Sequence, residues 1–156
     1  LDRIRSGEFM VGVCTGSDSL DTDLQSEVLT HEAMVIIPSA CKEISYPSKD
    51  ELPVITIEDY SGAWRSFQDE VRRLRIRRVV SLESFFSVAQ MAIAGFGHGM
   101  VPIGVAKTLK VPEHCLINLG ERGLMRPVRF VARKSTYSLP VVANFYQSLV
   151  ARLRLN

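Results

Sequence analysis

Short apolar runs alternate along the chain with segments whose apolar residues recur every three or four positions. The compact runs predict strands at "EFMVGVC", "EAMVIIPS", "VITIE", "RRVVS", "HCLINL" and "PVRFVARK". The spaced residues predict helices in "GAWRSFQDEVRRLRI", in "GVAKTLK" and in "LPVVANFYQSLVARLRL", where Pro140 fits the first turn. The opening "LDRIRSG" is typical of a helix tail that Gly7 closes. This alternation predicts an α/β fold with mainly parallel strand pairing.

The segment "MAIAGFGHGMVP", residues 91–102, has glycines at positions 95, 97 and 99. A dinucleotide-binding loop runs from strand to glycines to helix, so that phosphate meets the helix N-terminus. Here a helix over 82–94 precedes the glycines and a strand over 98–102 follows them. We therefore interpret Gly95 as the positive-φ residue that ends a helix and Pro102 as the end of the strand.

The helix predicted over 82–94 is apolar on most of its sides. Ser81 is its expected N-cap, and Glu83 and Ser84 fall in the first turn, where a carboxylate suits the helix dipole. A helix that is apolar nearly all round needs burial on two faces. We expect it to pack deeply within its own lobe or to meet another subunit.

The composition indicates a globular protein and excludes several classes. Of 156 residues, 46% are apolar and 23% are charged, and the net charge of +2 is too small to indicate nucleic-acid binding by itself. No apolar run approaches the roughly 20 residues of a membrane helix. The three cysteines (Cys14, Cys41, Cys115) fit neither a disulfide framework nor a zinc site, which favours a reducing cytoplasm.

Other chemical signals are weak. The three histidines have no neighbouring Cys or Glu at metal-ligand spacing, so no metal site is predicted. There is no G-x-S-x-G nucleophile motif and no Walker lysine pattern. "RRLRIRR", residues 72–78, is either a patch that binds an anion or nucleic acid or a solvated helix end, and the neighbouring Asp69 and Glu70 favour the latter.

The order of these parts resembles the effector-binding domain of LysR-type transcriptional regulators. The resemblance lies in "GEFMVGVCTG", "LTHEAMVIIPS", "VVSLESFFSVAQMAIAGFGHGMVP", "LINLGE" and "FVARKSTYSLPVVANFYQSLV". It implies two α/β lobes like those of type 2 periplasmic binding proteins. Residues 1–40 and 134–156 would belong to lobe I and residues 41–133 to lobe II, in line with the polar linker at 41–53.

This sequence departs from the family pattern in two respects. His98 and Gly99 replace an aliphatic and a small residue at the start of one strand. The family domain also begins with a further strand, helix and strand, and the DNA-binding helix-turn-helix precedes them. This sequence contains neither part. The resemblance therefore implies an N-terminally incomplete effector domain without its DNA reader, which would leave strand edges and apolar faces exposed.

The resemblance also implies an effector site in the cleft between the lobes, made by hydroxyls and backbone amides at the starts of helices. The matching positions are Thr15, Ser61, Gly62, Ala63, Trp64, Ser81 and Glu83. Helix N-termini present free N–H groups and suit a small anion. Ser61 as a plain N-cap and Trp64 as a core anchor are competing roles.

We therefore predict a cytoplasmic effector-sensing domain that is not an enzyme and needs no cofactor. Its expected partners are a small anionic metabolite, further copies of itself in a dimer or tetramer, and DNA only through the helix-turn-helix that this sequence lacks. A solute-binding protein of a transporter is the first alternative. An enzyme on the same scaffold, with Glu83 and His98 as acid and base, is the second.

Overall fold

A computed structural model describes residues 1–15, 23–58, 64 and 68–153. They form two compact units, one of residues 1–31 and 127–156, and one of residues 32–126. The boundaries of these units differ from the predicted lobe boundaries at 40/41 and 133/134, and the assignment of lobes stays a prediction. Within the described ranges, no helix is long and apolar enough to cross a membrane.

The first unit has a hydrophobic core around Phe130. Its elements are α1 (Asp2–Arg5), β1 (Val11–Thr15), the first part of β2 (Leu24–Ile37), most of β7 (Met125–Arg133), α5 (Lys134–Tyr137) and α6 (Pro140–Leu153). Strands β1 and β7 pair antiparallel, from Val11 opposite Ala132 to Thr15 opposite Val128. Phe130 is fully buried between β7 and α6, and its ring lies 5.3 Å from that of Tyr146. Helix α6 therefore packs its apolar face in a core, as its amphipathic sequence pattern predicts.

The second unit is a sheet with helices on its faces. It contains the end of β2, β3 (Leu52–Ile57), α2 (Gln68–Arg73), β4 (Ile76–Leu82), α3 (Phe85–Ile93), β5 (His98–Pro102), α4 (Ile103–Thr108) and β6 (Ile117–Asn118), with single 3-10 turns at Ser39–Cys41, Glu113–Cys115 and Gly120–Arg122. The strand order is β2-β5-β3-β4, and β6 pairs with β2.

The prediction of mainly parallel pairing is wrong. Strand β3 is parallel to β4 and β5, but β2 is antiparallel to β5 and β6, and β1 is antiparallel to β7. A connecting helix fixes a parallel direction only between the strands that it joins. Here α2 joins β3 to β4 and α3 joins β4 to β5, whereas no helix directly joins the antiparallel neighbours.

The last residues of β2 contribute to two cores on opposite faces of the sheet. Met34 and Ile36 pack in one cluster, with Trp64 and Leu124, while Val35 and Ile37 pack in the other, with Val88. Successive side chains of a strand point to opposite faces, and burial on both faces explains the continuous apolar run "MVII".

Helix α3 begins later than its apolar pattern indicates. Ser84, not Ser81, is the N-cap, and its Oγ accepts a hydrogen bond from the Phe86 N–H at 3.2 Å. Ser81 is instead the penultimate residue of β4, opposite Thr56 of β3. The prediction of Ser81 as the cap is wrong because strand pairing continues to Leu82 and keeps this segment extended.

In the part of the chain that the structure describes, helix α3 is buried on one face. Val88, Ala89 and Ala92 are fully buried, whereas Phe86 is 46% exposed and Ile93 is 41% exposed. Deep packing of the whole helix is therefore wrong for this chain, and contact of the exposed face with another subunit stays a prediction.

The glycine segment has the predicted arrangement. Helix α3 ends at Ile93, Gly95 has φ of +89°, and β5 runs from His98 to Pro102. These glycines lie between a helix and the strand that packs on it, which is the order that distinguishes them from a phosphate-binding loop.

Candidate functional site

The strands β3, β4 and β5 end at one edge of the second unit. They are parallel, and their last residues are Ile57, Leu82 and Pro102. Helix α4 begins directly after β5, and α3 begins two residues after β4. In open α/β sheets, ligands bind outside the carboxyl ends of the strands, near such helix N-termini. We call this region, residues 57–58, 81–84 and 102–104, the carboxyl edge.

The end of β4 and the start of α3 place hydroxyl groups at the carboxyl edge. Ser81 is exposed, and Ser84 caps α3 through its side chain. Glu83 lies between them in sequence and is exposed, directly before the N-cap of α3, where a negative charge suits the helix dipole. The neighbouring Thr56 is fully buried, and its hydroxyl donates to the Met100 carbonyl oxygen at 3.0 Å, which joins β3 to β5.

A charged cluster occupies the start of α4. Glu32 Oε1 accepts a hydrogen bond from the Gly104 N–H at 3.0 Å. Glu32 Oε2 accepts two from Arg126, at 2.9 Å from Nε and 2.6 Å from Nη2. Both side chains are mostly buried, and the Arg126 guanidinium lies 5.3 Å from the centre of the Phe85 ring. This cluster could not be predicted from the sequence, because its residues are far apart along the chain and show no local pattern.

A second carboxylate at the edge was also missed. Glu58 directly follows β3, and its Oε2 is buried without a hydrogen-bond donor among the described residues. The only sequence signal was its position after an apolar strand. A ligand that provides a hydrogen-bond donor would satisfy this oxygen.

Trp64 is a core residue of the second unit. Only 9% of it is exposed, and it packs in the cluster of Met34, Ile36 and Val54. The Arg78 guanidinium lies 4.4 Å from the centre of its ring, within cation–π distance. These contacts favour the anchoring role of Trp64, and its role as an effector contact stays a prediction.

The other predicted site residues are distributed over both units. Thr15 is the last residue of β1, in the first unit, while Ser81 and Glu83 are close together at the carboxyl edge of the second. Ser61, Gly62 and Ala63 lie outside the described residues. Their roles in effector binding therefore stay predictions.

Three members of the arginine cluster form ion pairs with nearby carboxylates. Arg72 pairs with Asp69 at 3.5 Å, Arg73 with Glu70 at 2.5 Å, and Arg77 with Glu51 at 3.3 Å. All three arginine side chains are exposed. This arrangement favours the solvated helix end over the anion-binding patch.

The structure does not bring Glu83 and His98 together as an acid–base pair. Glu83 follows the carboxyl end of β4, whereas His98 begins β5, so the two residues belong to opposite edges of the parallel strands. Burial lowers the pKa of His98, and its Nδ1 accepts a hydrogen bond from the Ser39 N–H at 3.0 Å. Among the described residues, no three Cys, His, Asp or Glu side chains are placed to hold a metal ion.

The chain matches the family described as "LysR substrate binding domain" over residues 1–154, and it belongs to this family. It is 25% identical, over 139 residues, to an "Uncharacterized HTH-type transcriptional regulator" of Vibrio cholerae serotype O1 (strain ATCC 39315 / El Tor Inaba N16961). That match covers 88% of this chain and 46% of the relative, so the chain spans about half of the relative's length. At the level of the family, the chain is a regulatory domain and its relatives are not enzymes.

Solved structures of regulatory domains have the same fold. A sulfate-bound variant of the OxyR2 regulatory domain from Vibrio vulnificus has a TM-score of 0.70 and 20% identity, covering 97% of this chain and 76% of that one. The cofactor-binding domain of the Cbl transcriptional regulator has a TM-score of 0.71 and 19% identity, with coverages of 94% and 68%. The Synechocystis PCC6803 CcmR regulatory domain, in complex with 2-PG, has a TM-score of 0.67 and 17% identity, with coverages of 96% and 76%. These likenesses confirm the type 2 periplasmic-binding-protein-like α/β fold.

Proposed function

We propose that this chain senses a small anionic metabolite and thereby controls transcription by a LysR-type regulator. The observation that carries the proposal is the carboxyl edge, where the N-terminus of α3 and the hydroxyls of Ser81 and Ser84 adjoin the ends of parallel strands. Unpaired N–H groups in the first turn of a helix and the positive end of its dipole favour an anion.

The ligands named for two structural relatives support this ligand class. One relative is described as bound to sulfate and another as a complex with 2-PG. In the present chain, Glu58 and Glu83 add two carboxylates to the carboxyl edge. They disfavour a ligand of high negative charge and favour a carboxylate that also carries a hydroxyl or amino donor.

The regulatory step would involve parts of the protein beyond this chain. The curated relative is a helix-turn-helix regulator, and this chain spans 46% of its length. We propose that effector binding shifts the packing of a homo-oligomer and changes how it presents DNA-binding helices. The same proposal assigns the protein to the cytoplasm, where a bacterial-type regulator meets DNA.

The proposed effector site is tested by a double substitution. We expect Ser61→Ala with Thr15→Ala to abolish binding of the effector, because the resemblance assigns both hydroxyls to it. Candidate ligands are sulfate and a panel of small hydroxy and amino carboxylates, which are screened by thermal shift and then measured by isothermal titration calorimetry.

The matched control is Thr108→Ala with Ser148→Ala, which removes the same two groups from exposed helix positions. The control should bind at the strength of the unmodified protein. Equally strong binding by the Ser61/Thr15 variant would exclude both residues from the site.

Self-association is tested on the exposed face of α3. We expect Phe86→Glu to lower the oligomer mass measured by light scattering, because a charge would disrupt an apolar contact at this half-exposed ring. Gln147→Glu adds the same charge at an exposed position of α6, which belongs to the first unit, and should leave the mass unchanged. An unchanged mass for Phe86→Glu, with intact circular dichroism, would remove this face from the subunit contact.

A further inference from the structure

Cys41 and Cys115 are far apart in sequence but neighbours in the second unit. Strands β2 and β6 pair antiparallel, with Ile36 opposite Ile117. Cys41 lies four residues after the end of β2, and Cys115 lies two residues before the start of β6. Cys41 ends the 3-10 turn Ser39–Cys41 and Cys115 ends the turn Glu113–Cys115, and both side chains pack against the same cluster of buried residues.

Both cysteines line a cavity of about 270 Å³. The other side chains around it include Pro38, Lys42, Glu43 and His114. The two cysteines are free thiols of intermediate exposure, and both pack at the margin of the core that contains Val35 and Ile37. The pair is therefore held by the fold and is also accessible to a small reagent.

The backbone at Cys41 has an unusual conformation that its surroundings maintain. Ala40 and Cys41 have φ of 51° and 53°, in the left-handed region that residues with a side chain rarely adopt. The Cys41 N–H donates to the Pro38 carbonyl oxygen at 2.9 Å, and the Ser39 hydroxyl donates to the Gly95 carbonyl oxygen at 2.9 Å. Strained residues of this kind persist where the surrounding structure fixes them, so the fold determines the position of Cys41.

We propose that Cys41 and Cys115 form a reversible disulfide site that reacts with hydroperoxides. One thiolate attacks the peroxide oxygen, forming an S–O bond as the O–O bond breaks, and an alcohol or water leaves with a proton. The second sulfur then attacks the sulfenic sulfur, forming the S–S bond and releasing water. Two thiols are oxidised by two electrons and one peroxide is reduced by two.

The surroundings of the pair indicate how readily it reacts. Burial, and then the neighbouring Cys115 thiol, raise the pKa of Cys41, so the reactive thiolate is scarce at neutral pH. Excess hydroperoxide is therefore needed, and the bond should persist once formed until a thiol reductant is added. The bond would join the end of β2 to the segment before β6 and close a long loop of the chain, which stabilises a folded protein by restricting the unfolded one.

The test uses hydrogen peroxide and the chain with its three cysteines. We expect titratable thiols to fall from three to one, a tryptic peptide that links Cys41 to Cys115, and a melting temperature that rises and then reverts with dithiothreitol. In the Cys14→Ser variant, the number of titratable thiols should fall from two to none, and the same linked peptide should form.

The variants Cys41→Ser and Cys115→Ser separate the pair from general oxidation. Neither should form the intramolecular bond or show the reversible rise in melting temperature. Oxidation of the unmodified chain to sulfinic acids without the linked peptide, or a linked peptide that contains Cys14, would overturn the proposal. The peptide map of the unmodified and Cys14→Ser chains decides this even if one of the other variants does not fold.

Discussion

Replacing Arg126 with alanine is expected to lower the free energy of unfolding by about 3 kcal/mol. The substitution leaves the Glu32 carboxylate with its Gly104 N–H but without its two guanidinium donors. The side chains of Arg126 and Glu32 are only 15% and 21% exposed, so water replaces these donors poorly. Urea denaturation followed by circular dichroism measures the loss.

Arg77→Ala is the matched control for this prediction. Arg77 and Glu51 are 59% and 62% exposed and lie 3.3 Å apart, so the loss of their pair should cost less than about 1 kcal/mol. Glu32→Gln with Arg126→Met should cost less than Arg126→Ala alone, because no charged group then lacks its partner. Equal losses for Arg126→Ala and Arg77→Ala would show that the buried pair has no special role.

Gly99→Val should destabilise the second unit by about 3 kcal/mol, because β5 and α3 leave no space for a side chain there. A Cβ atom at Gly99 would lie 2.8 Å from the Ala92 Cβ and 3.1 Å from the Val88 carbonyl oxygen. The second contact is with helix backbone, which cannot move aside as a flexible side chain could. Thermal and urea unfolding of the variant give the magnitude.

Two comparisons separate crowding from backbone strain. Gly95 has φ of +89° and room for a methyl group, so Gly95→Ala should cost only about 1 kcal/mol. In a double-mutant cycle, Ala92→Gly should be less harmful in Gly99→Ala than in the unmodified chain, because it removes one of the clashing atoms. Additive effects in that cycle would contradict the packing explanation.

Much of the fold could be predicted because local chemistry determines it. The run "MVII" forms part of a strand that is buried on both faces, and the apolar spacing in "LPVVANFYQSLVARLRL" predicts helix α6. Gly95 follows the end of helix α3 and has a positive φ, as predicted. The direction of strand pairing could not be predicted where no helix joins the neighbours. The start of α3 could not be placed correctly either, since strand pairing extends to Leu82.

The candidate site was less predictable, because long-range contacts create it. Ser81 and Glu83 lie at a carboxyl edge that only the strand directions define. The interaction of Glu32 with Arg126 and the proximity of Cys41 to Cys115 depend on strand register and turn geometry, for which separate sequence positions give no signal. The pattern of residues 72–78, by contrast, already favoured the exposed ion pairs that the structure contains.

The contact of Glu32 with Gly104 has a consequence for charge selection at the carboxyl edge. Glu32 acts as a resident counter-ion of α4, and Glu83 directly precedes the Ser84 cap of α3. The proposed effector would therefore meet one helix end whose first turn already binds a carboxylate and one that an acidic residue adjoins. The protein's own carboxylates would thus limit the negative charge that this edge balances to no more than that of a single helix N-terminus, roughly half an elementary charge. Monoanions should consequently be favoured over dianions of the same size.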